Sequence, residues 1–237
     1  MADGVGEPTL VVVDADHGDH DDIVERAYDA VFRPAFDATE LPDISMIVAS
    51  PTRWLLLAVD GPAVVAGAVT DTYGPSGVGL LSYMATRPGQ RSRGVGAALL
   101  AGLRARWTAE GLDLVLAEVR DPRCWPASDA ERPEDRLRFY DRNDCHLLPV
   151  PWIQPALEPG GREPGMLLLT VHGARAGAPV EGSRIARWAK SYFIDAEGRE
   201  PTDPQYAGIV DQIGDGHLEV LSIQQLGSVP TSGPPSK

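Results

Sequence analysis

Between residues 79 and 110 the side-chain pattern changes from strand to helix across a loop of arginines and glycines, and this change constrains the fold more than any other stretch. Residues 79–86 form a short apolar run of strand type. Beyond residue 94, Val95, Leu99, Leu103 and Trp107 recur every four residues, which predicts a helix over about 94–110 with Gly111 as its stop. The loop between them carries Arg91, Arg93, Gly94 and Gly96. A helix start leaves several N–H groups without partners, and the helix dipole adds partial positive charge there. Glycines let an anion approach that backbone closely, and the arginines add charge. The segment therefore reads either as a phosphate or pyrophosphate site or as an ordinary surface helix start. A Gly-Lys-Ser/Thr ending is absent, so it is not a Walker loop. The third glycine of a dinucleotide fingerprint is missing too.

Strands are predicted at residues 10–13, 54–59, 63–72, 79–86, 112–119 and 166–171. Asp60-Gly61-Pro62 between two of them marks a hairpin. Helices are expected from Ile23 to Pro34, over 41–49, at 94–110 and at 134–143. Residues 149–164, rich in proline, read as a connection. Strands and helices in this order predict a mixed α/β fold with helices packed on a central sheet. After a Gly/Ala/Pro-rich linker at 173–182, Ile185, Trp188, Ala189 and Tyr192 mark an amphipathic helix. A further helix at 203–213 and a strand at 217–223 complete a small C-terminal α/β extension. Residues 227–237 have the composition of a disordered tail.

The chain has 237 residues, with 21 basic against 34 acidic, for a net charge of −13. That balance argues against nucleic-acid binding, which needs a basic face, and suits solubility and a cationic partner such as an amine. No run reaches the roughly 18 to 20 apolar residues of a membrane span. The first residues lack the basic start and apolar run of a signal peptide. Cys124 and Cys145 have no metal-type spacing. A cytoplasmic location with both thiols free is the expectation.

The loop also carries a resemblance. Thr86-Arg87-Pro88-Gly89-Gln90-Arg91-Ser92-Arg93-Gly94-Val95-Gly96-Ala97 is similar to the acyl-CoA signature of the GNAT (Gcn5-related N-acetyltransferase) superfamily, Val-x-Pro-x-x-Arg-x-x-Gly-x-Gly/Ala, with Thr86 in place of valine. The order of elements resembles that family from about residue 9 to residue 172. The resemblance implies a central, mostly antiparallel sheet with a splayed strand pair, and acetyl-CoA as cosubstrate; no metal is expected. It implies that backbone groups at Met84 and Thr86 meet the pantetheine arm. Arg91, Arg93, Gly94, Val95, Gly96 and Ala97 would hold the pyrophosphate, largely through backbone N–H groups.

A second family motif, Leu/Phe-Tyr-x-x-x-Gly-Phe, resembles Phe139-Tyr140-Asp141-Arg142-Asn143-Asp144-Cys145. Tyr140 is retained, while Asp144 and Cys145 replace glycine and phenylalanine, and Pro133 stands where the family often has asparagine. The family role for Tyr140 is proton donor to the departing CoA thiolate; the alternative is a tyrosine packed in the core. Glu118, on the strand after the CoA-binding helix, is the candidate base. Leu114 and Leu116 share its face, and a half-buried carboxylate there has a raised pKa. An ordinary solvent-facing or salt-bridged Glu118 is the other reading. Asp71, Tyr73, Tyr83, His146 and ordered water are further candidates for the base.

The cluster Asp14, Asp16, His17, Asp19, His20, Asp21, Asp22 has metal-type ligands. It also precedes a helix, where aspartates serve as caps and dipole partners, and it could attract a cationic amine. Trp152 and Gln154 are candidate acceptor contacts or structural cover. Trp188 and Tyr192 are expected to pack on the core or at a subunit contact.

Residues 1–173 are thus expected to form a GNAT-type catalytic domain, 174–226 an extension and 227–237 a tail. The expected activity is acetyl transfer from acetyl-CoA to a primary amine on a small molecule, such as a polyamine, an aminosugar or an amine-bearing natural product. It would run by direct attack in a ternary complex, and the protein could be a homodimer. The alternatives are a protein lysine or N-terminal acetyltransferase and a noncatalytic acyl-CoA sensor.

Overall fold

The computed structural model describes residues 8–13, 21–36, 41, 43–44, 51–74, 76–90, 93–128, 132–157 and 161–234. Among the described residues, seven strands, β1 (Thr9–Val13), β2 (Arg53–Asp60), β3 (Ala63–Tyr73), β4 (Val78–Thr86), β5 (Leu114–Arg120), β6 (His146–Gln154) and β7 (Glu163–His172), follow the order β1-β2-β3-β4-β5-β7-β6 in a mostly antiparallel sheet flanked by helices, and a separate two-stranded sheet pairs β8 (Pro179–Glu181) with β9 (His217–Glu219). The mixed α/β expectation holds. The chain divides into two compact units, Met1–Thr72 with Leu81–Gly111, and Tyr73–Leu80 with Leu112–Lys237. This division does not follow a boundary at residue 173: the second unit joins the later strands of the large sheet to the C-terminal extension. Among the described residues, no helix is long and apolar enough to cross a membrane.

In the first unit, β1 (Thr9–Val13), β2 (Arg53–Asp60) and β3 (Ala63–Tyr73) form an antiparallel meander. The β2–β3 loop is Gly61-Pro62, and Gly61 takes the positive φ (+55°) that such a short hairpin demands. Alternation sorts the side chains by face. Val13, Leu55 and Leu57 pack with Val24, Ala27, Val31 and Phe32 from α1 (Asp21–Ala27) and the π-helical turn Tyr28–Phe32 that continues it. A Cβ on Gly67 would lie 2.8 Å from the Phe32 ring, so only glycine lets that ring rest on β3. Leu10 and Leu56 point the other way, toward α2 (Val95–Ala109), where a Cβ on Gly102 would meet Leu10. Val95, Leu99, Leu103 and Trp107 are buried as the four-residue repeat requires. The Trp107 indole N–H donates to Thr70 Oγ1 at 3.2 Å. Most of the helix expected over 41–49 lies outside the described residues.

In the second unit, β5 (Leu114–Arg120), β7 (Glu163–His172) and β6 (His146–Gln154) are antiparallel, with β7 in the middle. Residues 149–154, expected as part of a connection, are strand. Pro149 and Pro151 are tolerated because β6 is the last strand of the sheet, and its register with β7 shifts between Leu148 and Trp152. Helix α3 (Pro133–Arg142) packs against β5.

The extension consists of β8 (Pro179–Glu181), α4 (Gly182–Glu197), α5 (Pro204–Ile213), β9 (His217–Glu219) and a 3₁₀ turn at Ile223–Ser228. Part of the expected linker is therefore β8. On α4, Ile185, Trp188, Ala189, Tyr192 and Phe193 are buried in one core with Leu114, Leu116, Trp152 and Leu168, as their i, i+3, i+4, i+7, i+8 spacing dictates. Burying each of the large apolar side chains stabilises the unit by about 1.5–3 kcal/mol. Arg162 forms paired hydrogen bonds with Glu197 (2.6 and 2.9 Å) and Asp203 (2.7 and 2.8 Å). Asp203 in turn caps α5 by accepting from the N–H groups of Gln205 and Tyr206. Residues 227–234, expected to be disordered, are placed. Ser232 Oγ donates to Trp152 O and accepts from Gly165 N, both at 2.7 Å, and Arg123 binds the carbonyls of Leu226 and Val229.

Candidate active site

The expected acyl-CoA segment lies in the first unit. Strand β4 (Val78–Thr86) ends with Met84 and Thr86 half-buried. The chain then turns at Arg87-Pro88-Gly89-Gln90, where Gln90 N–H donates to Arg87 O at 3.0 Å and Gly89 has φ +83°. Proline second and a left-handed glycine third are what a type II turn selects. Arg87 N–H ties the turn to Val65 O of β3 at 2.9 Å. Arg91 and Ser92 lie outside the described residues. Arg93 is exposed, its guanidinium 3.3 Å from Gln90 Oε1.

Gly94 begins α2 as its N-cap, with φ +79° and no side-chain cap. A Cβ there would meet nothing within 4 Å, so the glycine is required by backbone conformation, and the space around it is open. Val95, Gly96 and Ala97 supply first-turn N–H groups that have no intrahelical acceptor by construction. No acidic residue occupies this turn. The arrangement suits an anion.

Glu118 and Tyr140 lie in the second unit. Glu118 is half-buried on the β5 face it shares with Leu114 and Leu116, and its carboxylate accepts three hydrogen bonds. Trp152 Nε1–H donates to Oε1 at 2.5 Å. Gln154 Nε2–H donates to Oε2 at 2.8 Å, and the Tyr192 hydroxyl donates to the same oxygen at 2.7 Å. Burial pushes the Glu118 carboxyl above its ordinary value, the three donors oppose that, and Glu163 reinforces it. A carboxylate has about four acceptor sites, so three donors leave room for about one more.

Trp152 and Gln154 thus serve Glu118, and the tyrosine expected only to pack is its third partner. Their i, i+2 spacing on one strand face was the available signal, hidden by the neighbouring prolines. Tyr192 left no comparable trace, because it comes from another element 74 positions away.

Tyr140 is buried on α3, and burial pushes its phenol up to about 12. It stays protonated at neutral pH, as a general acid must before it acts. The helix after it ends in a Schellman turn: Cys145 N–H donates to Tyr140 O at 3.1 Å and Asp144 N–H to Asp141 O at 3.2 Å. Asp144 has φ +53°, the left-handed conformation for which the family motif reserves glycine. The substitution therefore keeps the backbone shape, and Cys145 is buried in the place of the motif's phenylalanine.

Of the other candidates for the base, Asp71, Tyr73 and Tyr83 have structural partners. Asp71 is bound by Arg53 Nε at 2.5 Å and by the Ser82 hydroxyl. Tyr73 packs edge-on against Trp188 and Tyr192, and Tyr83 against Phe36. His146 Nε2 lies 3.4 Å from Asp144 Oδ1 but is buried with no hydrogen-bond partner among the described residues. The acidic and histidine cluster at 14–20 lies outside the described residues. A shallow depression of ≈ 450 Å³ beside Leu157, Arg162 and Glu197 includes none of the expected site residues.

No family model matches the sequence, and no curated protein matches it. Solved structures do. A protein from Bacteroides thetaiotaomicron assigned to the GNAT family of acetyltransferases superposes with a TM-score of 0.54 at 17% identity, over 78% of this chain and 98% of that one. A tandem GNAT protein from the clavulanic acid biosynthesis pathway gives 0.50 at 20% identity, over 62% of this chain and 46% of that one. The chain has the fold of the GNAT acetyltransferases.

Proposed function

We propose that this protein is an N-acetyltransferase that moves an acetyl group from acetyl-CoA to a primary amine on a small molecule. The observation that carries the reading is the β4–α2 junction, where the acyl-CoA signature adopts a type II turn and a left-handed glycine helix start on a GNAT fold. The N–H groups of Gly94, Val95, Gly96 and Ala97, with Arg91 and Arg93, bind the pyrophosphate. Backbone groups at Met84 and Thr86 bind the pantetheine arm.

In a ternary complex, Glu118 takes a proton from the ammonium of the acceptor, directly or through water. The freed amine nitrogen attacks the thioester carbonyl; as the tetrahedral adduct collapses and the C–S bond breaks, Tyr140 protonates the departing thiolate, and the surplus proton of the attacking nitrogen passes through water to restore the phenol. The products are an N-acetyl amide and CoA. Three donors on Glu118 keep its carboxylate oriented, and burial keeps its proton affinity nearer neutrality than that of a surface glutamate. The net charge of −13 supports a cationic acceptor such as a polyamine or aminosugar.

The test is acetyl-CoA-dependent release of free thiol with a panel of polyamines, aminosugars and lysine or N-terminal peptides. Turnover with a small amine supports the reading. Turnover with peptides alone replaces the acceptor class, and CoA binding without turnover on any amine identifies a sensor instead.

A further inference from the structure

Helix α4 lies beyond the span of the acyltransferase resemblance, yet it reaches the carboxylate assigned as base. Tyr192 donates to Glu118 Oε2, and its ring is held in a stack of three. Trp188, one turn earlier on α4, stacks on Trp152 (centroids 5.2 Å apart, 28° between planes) and on Tyr192 (5.5 Å, 29°). Both stacking partners of Trp188 are therefore donors to Glu118. Trp188 is fully buried, its own Nε1 has no hydrogen-bond partner among the described residues, and its ring meets the other two by stacking. Tyr73 closes the column edge-on against Trp188 and Tyr192, and Phe193 against Trp152.

We propose that the hydroxyl of Tyr192, fixed by the stack on Trp188, orients the Glu118 carboxylate and stabilises its ionised form, so that the appended helix completes the proton-accepting apparatus. Tyr192 is then a positioning residue, and this assignment rests on the acetyltransferase reading. The charged groups around Glu118 are otherwise occupied: Arg120 on β5 pairs with Glu163 on β7 at 2.9 Å and lies over the Trp125 ring. Strand β6 contributes only the neutral donors Trp152 and Gln154. Among the described residues, the Tyr192 hydroxyl is thus the one donor to this carboxylate supplied from outside the sheet.

Tyr192→Phe keeps the ring and its stacking and removes only the O–H. Two readouts are compared: the pH profile of kcat/KM, and the pH titration of the Glu118 carboxyl carbon in ¹³C-glutamate-labelled protein, assigned with Glu118→Gln. The ascending limb and the carboxyl midpoint are both expected to rise by about one pH unit, with the Kd for acetyl-CoA unchanged. A 3-fluorotyrosine at position 192, a stronger donor, is expected to lower both. A carboxyl midpoint that moves in neither variant overturns the proposal. If the protein transfers no acetyl group at all, the carboxyl titration still decides the role of Tyr192, and only the acetyltransferase reading falls.

Discussion

Tyr192 and Glu118 stand 74 positions apart in the chain, and the phenol of one donates to the carboxylate of the other at 2.7 Å. With the indole of Trp152 and the amide of Gln154, this makes Glu118 an oriented carboxylate rather than a solvated surface charge.

Glu118→Gln is expected to lower kcat/KM by about 10²–10⁴-fold and to abolish the ascending limb of the pH profile. In the wild type that limb lies above the ordinary carboxylate value of 4.5, because burial raises it. The same shift sets a stability trend. A carboxyl with higher proton affinity in the folded state favours folding below its unfolded value of about 4.3. That contribution is lost as pH rises through the folded value. The Tm of Glu118→Gln relative to wild type is therefore expected to increase with pH from 4 upward, measured by thermal unfolding across that range.

Tyr140→Phe is expected to lower kcat by about 10²-fold while leaving the Kd for CoA unchanged, by steady-state kinetics and calorimetry. Because burial holds the phenol up to about 12, the wild-type rate keeps no descending limb from Tyr140 between about pH 8 and 10. An unchanged kcat would remove Tyr140 from the reaction.

Arg93→Ala is expected to weaken CoA binding by about tenfold at low salt, and less at high salt because the side chain is exposed. Gly94→Ala meets no steric obstacle, so its cost is the left-handed backbone, about 1–2 kcal/mol. It is expected to lower both Tm and CoA affinity. Normal affinity in both variants would overturn the phosphate assignment.

Asp144→Gly is expected to stabilise the protein. Glycine relieves about 1–2 kcal/mol of left-handed strain and returns about 0.5–1 kcal/mol as unfolded-chain entropy. The exposed Asp144 pairing with His146 contributes little. The net gain, at most about 1.5 kcal/mol, raises Tm by up to about 6 °C, read by calorimetry.

Much of the loop and its helix was legible from residue order alone. Pro88-Gly89 encodes a type II turn, and both Gly89 and Gly94 adopt positive φ. The repeat of Val95, Leu99, Leu103 and Trp107 encodes the buried face of α2. Strand β6 was less legible: Pro149 and Pro151 signal a break, and only the position of β6 at the end of the sheet makes them acceptable. The ordering of residues 227–234 was also hidden, because their partners, Trp152 O, Gly165 N and Arg123, are remote in sequence.

By itself, then, the sequence determined the local conformations: the strand-to-helix junction with its left-handed glycines, and the apolar stripe of α4. These follow from backbone sterics and side-chain spacing within one or two turns. Tertiary structure alone decided the partners of Glu118. Strand β7 inserts between β5 and β6, so Glu118 and Trp152 meet across an intervening strand, and α4 lays Tyr192 over both. Side chains from three elements become neighbours only when burial of a shared core brings those elements together, and no local period encodes that.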